Sequence, residues 1–195
     1  KMAFVRNSCI RTLSTSSRML KIKEFVVIGG GQMGSGIAQV GAQTGHSVTI
    51  IDTSGDVLAK SQTRIGESIK RVAKKKFKDD SIGAEKFVQE SLARLHTSTN
   101  AEKPLETADL VIESVTENLE LKKKLFATYD EMAPEKTIFA SNTSSLSIRA
   151  IAEATPKRVD RFGGLHFFNP VAVMKLLEVI RTPDTSDDTF KVSVK

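Results

Sequence analysis

Phe25-Val26-Val27-Ile28-Gly29-Gly30-Gly31-Gln32-Met33-Gly34 is the stretch whose reading decides the fold. Its apolar run suits a strand covered on both faces, as in a parallel sheet. The run passes directly into glycines at 29, 31 and 34, on a Gly-x-Gly-x-x-Gly spacing, and Gln32 to about Thr44 then reads as a helix. In such a turn Gly29 makes the tight bend, Gly31 lets the backbone approach a pyrophosphate, and Gly34 lets helix and strand pack closely. The first helical amides, here from Gln32 and Met33 onward, present the positive end of a helix dipole to an anion.

Glycine clusters also mark ordinary turns, so the residues around the turn carry the decision. Ser47-Val48-Thr49-Ile50-Ile51 is a second strand-like run, and it ends at Asp52, eighteen residues beyond Gly34. A carboxylate at that place can accept hydrogen bonds from both ribose hydroxyls of an adenosine and would repel the extra phosphate of NADP. Strand, glycine turn, helix, strand and acid together point to a dinucleotide site for NAD.

The rest of the chain extends the same alternation. Ser54 to about Lys78 carries Val57, Leu58, Ile65, Ile69, Val72 and Phe77 at helical spacing, and Ala84 to about Leu92 reads as a second helix after a break. This pair is longer than a crossover needs and reads as a helical insertion. Leu95–Thr99, Ala108–Glu113 and Thr137–Ser141 follow as strands, with a helix from Asn118, its N-cap, to about Met132, and a short helix around Ile148 to Ala154. Phe162–Phe168 and Met174–Ile180 close the set as strands. The expected fold is α/β, a doubly wound, Rossmann-type, mainly parallel sheet with a helical insertion after the second strand. Residues 21–182 are expected to form the NAD-binding domain, and 183–195, with Pro183, Asp184, Ser186, Asp187 and Asp188, to start a linker toward a further domain.

Charge argues against nucleic acid as a partner. The 195 residues carry a formal net charge of +6, yet residues 1–23 hold six basic groups and no acid, which leaves 23 basic against 23 acidic residues in the body. No stretch approaches the roughly twenty apolar residues of a membrane span, so stable membrane insertion is not expected. The leader, with Arg6, Arg11 and Arg18 among Ser8, Ser14, Ser16 and Ser17, has the marks of a mitochondrial transit peptide over residues 1–20, with a disordered basic tail as the alternative. Cys9, the single cysteine, lies in that leader, so no disulfide, catalytic thiol or cysteine-held metal is expected in the body.

Three motifs in order resemble one family: Val27-Ile28-Gly29-Gly30-Gly31-Gln32-Met33-Gly34-Ser35-Gly36-Ile37-Ala38, then Ala140-Ser141-Asn142-Thr143-Ser144-Ser145-Leu146, then Gly164-Leu165-His166-Phe167-Phe168-Asn169-Pro170. Over about residues 22 to 190 the chain is similar to the N-terminal NAD-binding domain of the 3-hydroxyacyl-CoA dehydrogenases of fatty-acid β-oxidation. With Lys74-Lys75-Lys76-Phe77 it resembles the mitochondrial short-chain, monofunctional branch. The resemblance implies oxidation of an (S)-3-hydroxyacyl-CoA to the 3-ketoacyl-CoA in the mitochondrial matrix, by a homodimer whose C-terminal helical domain closes the cleft.

Site roles follow from the same resemblance. His166 would take the hydroxyl proton, Glu178 would orient and stabilise its ring, and Ser144 would hydrogen-bond the substrate 3-oxygen and border the cofactor. Glu117, Lys122, Asn142 and Asn169 fall at cofactor positions, and Ser68 and Lys75 at coenzyme-A positions. Bland uses exist for each: Ser144 as a helix cap, Asn169 before Pro170 as a turn residue, Glu117 and Lys122 as a helix-surface ion pair, and Lys74–Lys76 as a solvated face. No histidine sits at metal spacing with a partner, so no metal is expected. Two other functions stay open: a cofactor-binding module without turnover, and a crystallin-like structural relative.

Overall fold

The computed structural model describes residues 21–193, so the transit-peptide and Cys9 expectations lie outside the described residues. Seven strands, β1 (Glu24–Ile28), β2 (Ser47–Ile51), β3 (Leu95–Ser98), β4 (Leu110–Glu113), β5 (Ile138–Ser141), β6 (Phe162–Phe167) and β7 (Leu177–Arg181), form one sheet in the order β3-β2-β1-β4-β5-β6-β7. Every neighbouring pair is parallel except β6–β7. The order reverses between β1 and β4, and their carboxyl ends there open the crevice in which such sheets bind ligands.

Strand alternation builds two cores. Phe25 and Val27 of β1 face α1 (Gln32–Gln43), α2 (Gly55–Lys76) and α3 (Ser81–Ala93), meeting Ile37, Ile65 and Ile69. Val26 and Ile28 point the other way, toward α4 (Glu102–Thr107), α5 (Leu119–Met132) and α6 (Ile148–Ala152), where Phe126, Phe139 and Phe162 pack. Each such fully buried side chain contributes about 1.5–3 kcal/mol over leaving it in water.

The insertion after β2 is the α2–α3 hairpin. Ser54 caps α2 by accepting from the Val57 amide at 3.3 Å, and Asp80 caps α3 by accepting from Gly83 at 2.8 Å. Asn118 caps α5, its Oδ1 accepting from the Leu121 amide at 2.9 Å, as the sequence predicts.

The structure differs from the sequence reading in three places. Within the stretch read as the start of a linker, Asp187–Ser193 form a helix, α7, which packs on β6 and β7. Ser186 Oγ accepts from the Thr189 amide at 3.2 Å, and two aspartates occupy the first turn, where a helix dipole favours them. The last strand begins at Leu177 rather than Met174, because Val173 and Met174 both donate to the Pro170 carbonyl and form a turn. Its antiparallel direction follows from the connection of about nine residues, too short for the crossover that a parallel partner requires. Finally, α4 is a short helix that has no apolar periodicity to announce it, since Leu105 alone of its residues is buried.

Arg158 is the largest fully buried side chain. Its Nε donates to Asp130 Oδ1 at 2.5 Å, while Nη1 and Nη2 reach the carbonyls of Pro134, Thr137, Asp130 and Ala133 at 2.8–3.3 Å. All five guanidinium N–H groups are thereby used, and several of the acceptors are carbonyls that the end of α5 leaves without helical partners.

Candidate functional site

At the glycine turn the expected geometry is present in full. Gly29 has φ +103°, a conformation that L side chains rarely adopt, and its amide donates to the Ile51 carbonyl at 2.7 Å. A Cβ at Gly34 would stand 1.9 Å from the Gly29 carbonyl oxygen, so the helix can approach the strand only without a side chain there. Gly31 is the opposite case: a Cβ there would meet nothing within 4 Å, so this position faces open space. As the N-cap of α1 it offers no side-chain acceptor, leaving the first amides, from Gln32 and Met33 onward, for an anion.

Asp52 braces this turn. Its Oδ2 accepts from the Gly30 amide at 2.8 Å and its Oδ1 from the Ser54 amide at 3.0 Å. A carboxylate has about four lone-pair sites, so acceptor capacity remains for ribose hydroxyls. The residues present therefore fit a dinucleotide: an open glycine edge, unshared amides and an acid beyond β2. Ser35 stiffens the same turn, its hydroxyl lying 2.6 Å from the Gly31 carbonyl and 2.8 Å from Ser61 Oγ.

Beside the crevice, β4 ends on a charged group that the sequence reading does not single out. Glu113 is 1% exposed; its Oε1 accepts from Lys122 Nζ and from the Val115 amide, each at 2.6 Å, and its Oε2 accepts from Ser141 Oγ at 2.6 Å. Lys122 is also 1% exposed and reaches Glu117 Oε2 at 3.3 Å. Glu117 accepts from the hydroxyls of Thr143 and Ser145 as well. Burial alone would raise the Glu117 carboxyl, but the Thr143 hydroxyl and the Lys122 ammonium outweigh it and hold it below its ordinary 4.5. Glu117 and Lys122 are thus an ion pair, but one anchored in the interior instead of lying on a helix surface.

The third group lies on β6 and β7. Antiparallel register sets His166 opposite Glu178, and Nδ1 stands 2.8 Å from Glu178 Oε2. A carboxylate only accepts, so Nδ1 carries the proton and Nε2 is the basic nitrogen of the neutral ring. Ser144 lines the same cleft of about 380 Å³ with His166 and Glu178. Helix capping at α6 falls to Ser147, which accepts from the Ala150 amide, so Ser144 has no capping task there.

Two asparagines tie these groups together. Asn142 Oδ1 accepts from the Phe167 amide at 2.8 Å, fixing the loop after β5 to the strand bearing His166. Asn169 Oδ1 accepts from Gln32 Nε2 at 3.1 Å, joining the end of β6 to the start of α1. Ser68 and Lys75 stand apart on α2, the serine half-buried and the lysine exposed, about 10 Å from each other at 1.5 Å rise per residue, and neither lines the His166 cleft. A larger apolar groove of about 600 Å³, bordered by Phe25, Val40, Leu110 and Phe167, contains neither His166 nor Glu178. Among the described residues no cluster of His, Cys, Asp and Glu is placed to hold a metal. No helix there is long and apolar enough to cross a membrane.

Comparison with known proteins places this geometry. A family model described as 3-hydroxyacyl-CoA dehydrogenase, NAD binding domain, matches residues 24–195. The mitochondrial hydroxyacyl-coenzyme A dehydrogenases of Rattus norvegicus and Homo sapiens are 53% and 51% identical over 97% of this chain, which spans 62% of either relative's length. Among solved structures, the (S)-3-hydroxybutyryl-CoA dehydrogenase PaaH1 of Ralstonia eutropha superposes with a TM-score of 0.80 at 42% identity, over 88% of this chain and 58% of that one. A 3-hydroxybutyryl-CoA dehydrogenase of Escherichia coli gives 0.78 at 40% identity, over 89% of this chain and 35% of that one. With the glycine turn, the acid after β2 and the His166 cleft all in one sheet, the chain belongs to the family of 3-hydroxyacyl-CoA dehydrogenase NAD-binding domains.

Proposed function

We propose that this chain supplies the cofactor half of an NAD-dependent dehydrogenase that interconverts (S)-3-hydroxyacyl-CoA and 3-ketoacyl-CoA in fatty-acid β-oxidation. The observation that carries the reading is the His166–Glu178 pair at 2.8 Å, in one cleft with Ser144 and linked through Asn169 and Gln32 to the glycine turn. NAD, when bound, supplies the hydride acceptor. His166 Nε2 takes the hydroxyl proton as the carbon is oxidised and returns it in the reverse direction. Glu178 holds the ring in the required tautomer and stabilises the imidazolium. The Ser144 hydroxyl donates to the substrate 3-oxygen and polarises it for reduction.

Gly29, Gly31, Gln32, Met33 and Gly34 would cradle the pyrophosphate, Asp52 the adenosine ribose, and Glu117, Lys122, Asn142, Ser144 and Asn169 would border the nicotinamide end. Ser68 and Lys75 would meet coenzyme A, whose phosphates suit an ammonium. Residues 21–182 would be the cofactor domain, and the assembled protein would be a homodimer of the mitochondrial matrix.

The isolated chain acts as a binding module in this reading. Val173 and Leu176, 71% and 53% exposed, lie in the loop just before Glu178, so the apolar surface beside the site is left in water. Catalysis needs the reacting groups held in register and shielded from water. The test is loss of NADH absorbance with acetoacetyl-CoA by the full-length protein. Turnover is expected, and His166→Ala should abolish it while leaving NADH affinity within about twofold, since removing a proton-transfer group acts on the chemical step. Turnover that survives His166→Ala rejects the mechanism, and robust turnover by the 195-residue chain rejects the module reading.

A further inference from the structure

Arg64 is an exposed arginine of α2, yet its side chain is anchored on α1, where Nη1 donates to Ser35 Oγ at 3.1 Å. A hydroxyl has one proton and two lone pairs, and Ser35 uses all three within the protein. The proton goes to the Gly31 carbonyl at 2.6 Å, so Ser61 Oγ, 2.8 Å away, donates to Ser35, as Arg64 does. The guanidinium is therefore held one hydroxyl away from the glycine turn. Its four other N–H groups have no side-chain or carbonyl acceptor among the described residues. None of the ion pairs there includes it.

That placement is electrostatically unfavourable in the unliganded protein. Ser35 lies in the first turn of α1, where the helix dipole is positive, and the turn contains no acid. A guanidinium beside it adds to a positive end that nothing neutralises, and a phosphate arriving between the two relieves both. The charge then continues along α2. Residues 64, 68, 71 and 75 recur at i, i+4, i+7 and i+11 and share one face of the helix. Ser68 is half-buried, whereas Arg64, Arg71 and Lys75 are exposed. At 1.5 Å per residue this face is about 16 Å long, room for a nucleotide rather than for a single ion.

We propose that Arg64 is a substrate-binding residue that takes the diphosphate of coenzyme A, with the Ser35 hydroxyl as its anchor. It stands at the end of the α2 face nearest the glycine turn, so one side chain joins substrate binding to the turn that holds the cofactor. This rests on the 3-hydroxyacyl-CoA reading given under Proposed function. The pyrophosphate of NADH offers the same chemistry; the face leading on from Arg64 to Ser68 and Lys75 favours coenzyme A.

The test compares reduction of acetoacetyl-CoA and of acetoacetyl-pantetheine, which keeps the reacting end and lacks the nucleotide, by the full-length protein. Arg64→Met is expected to lower kcat/KM for acetoacetyl-CoA about tenfold, through KM, the effect of losing one charge-assisted hydrogen bond. Its kcat, its kcat/KM for acetoacetyl-pantetheine and its KM for NADH should stay within about twofold. Arg64→Lys should recover part of the loss, since it keeps the charge without the fork. The unliganded Arg64→Met protein should melt no lower than the unsubstituted one, because a cation leaves the positive end of α1. A fall in Tm of more than about 2 °C makes Arg64 a structural link and overturns the proposal. So does an unchanged kcat/KM for acetoacetyl-CoA, or an equal loss with acetoacetyl-pantetheine. A rise in KM for NADH alone overturns the assignment to coenzyme A and gives the guanidinium to the dinucleotide. Turnover of neither substrate by the unsubstituted protein overturns the dehydrogenase reading together with this one, and normal turnover indifferent to Arg64 overturns this one alone.

Discussion

Replacing Arg158 by alanine deletes the partner of five acceptors at once. Asp130, whose side chain is 2% exposed, would keep a buried carboxyl with no cation, and the carbonyls of Asp130, Ala133, Pro134 and Thr137 would lose their donor. Removing one member of a buried ion pair costs about 3–5 kcal/mol, most of it the stranded charge. The guanidinium also lies 4.4 Å from the Phe139 ring centroid, so its loss opens space against the core. At roughly 2–4 °C per kcal/mol for a domain of this size, Tm should fall by about 10 °C. The assay is thermal and urea unfolding followed by circular dichroism. Arg158→Ala combined with Asp130→Ala should be less destabilised than the sum of the two single variants, because the second substitution removes the stranded charge. A change under about 1 kcal/mol, the level of an exposed pair, or strict additivity, would refute the reasoning.

Other expectations are independent of that pair. Gly34→Ala should abolish NADH binding and lower Tm, since its Cβ would sit 1.9 Å from the Gly29 carbonyl oxygen; an alanine variant that binds normally would contradict the packing. Asp52→Ser should narrow the preference for NADH over NADPH by about tenfold, by removing the charge that opposes a second phosphate, and titration with both nucleotides measures it. Glu117 and Asp109 are both held below their ordinary values of 4.5 and 3.8, burial being outweighed by Thr143 and Lys122 in the first and by Lys136 and the amides of Lys23 and Glu24 in the second. Depressed folded values stabilise fully above the unfolded ones and lose that contribution as pH falls through the folded ones. Tm measured across pH should therefore decline below about pH 4, and Glu117→Gln should make that decline shallower.

Much of the fold could be read because its determinants are local. The apolar runs of β1 and β2, the glycines at 29, 31 and 34, and the cap at Asn118 each act within a few residues of themselves. The His166–Glu178 contact is different: nothing in a twelve-residue separation reveals it, and only the antiparallel register of β6 and β7 brings the pair together. Glu113 escaped attention as the polar end of an apolar strand. The available clue was thermodynamic, since a charge closing an otherwise buried run needs a partner, and Lys122 lies nine residues on. The helix at Asp187–Ser193 was signalled by Ser186 followed by two aspartates, an N-terminal signature obscured by the proline and polar residues just before it.

The β6–β7 pairing has a consequence for how this site tolerates change. Because His166 meets Glu178 through strand register, the ladder and not the loop between the strands keeps the pair in contact, and the loop is free for other tasks: it carries Asn169, bonded to Gln32, and the buried Val171. The vulnerability lies elsewhere. A slip of one residue between the strands would turn Glu178 to the opposite face and leave the histidine without its acid, so this part of the site behaves as a two-position switch rather than a dial.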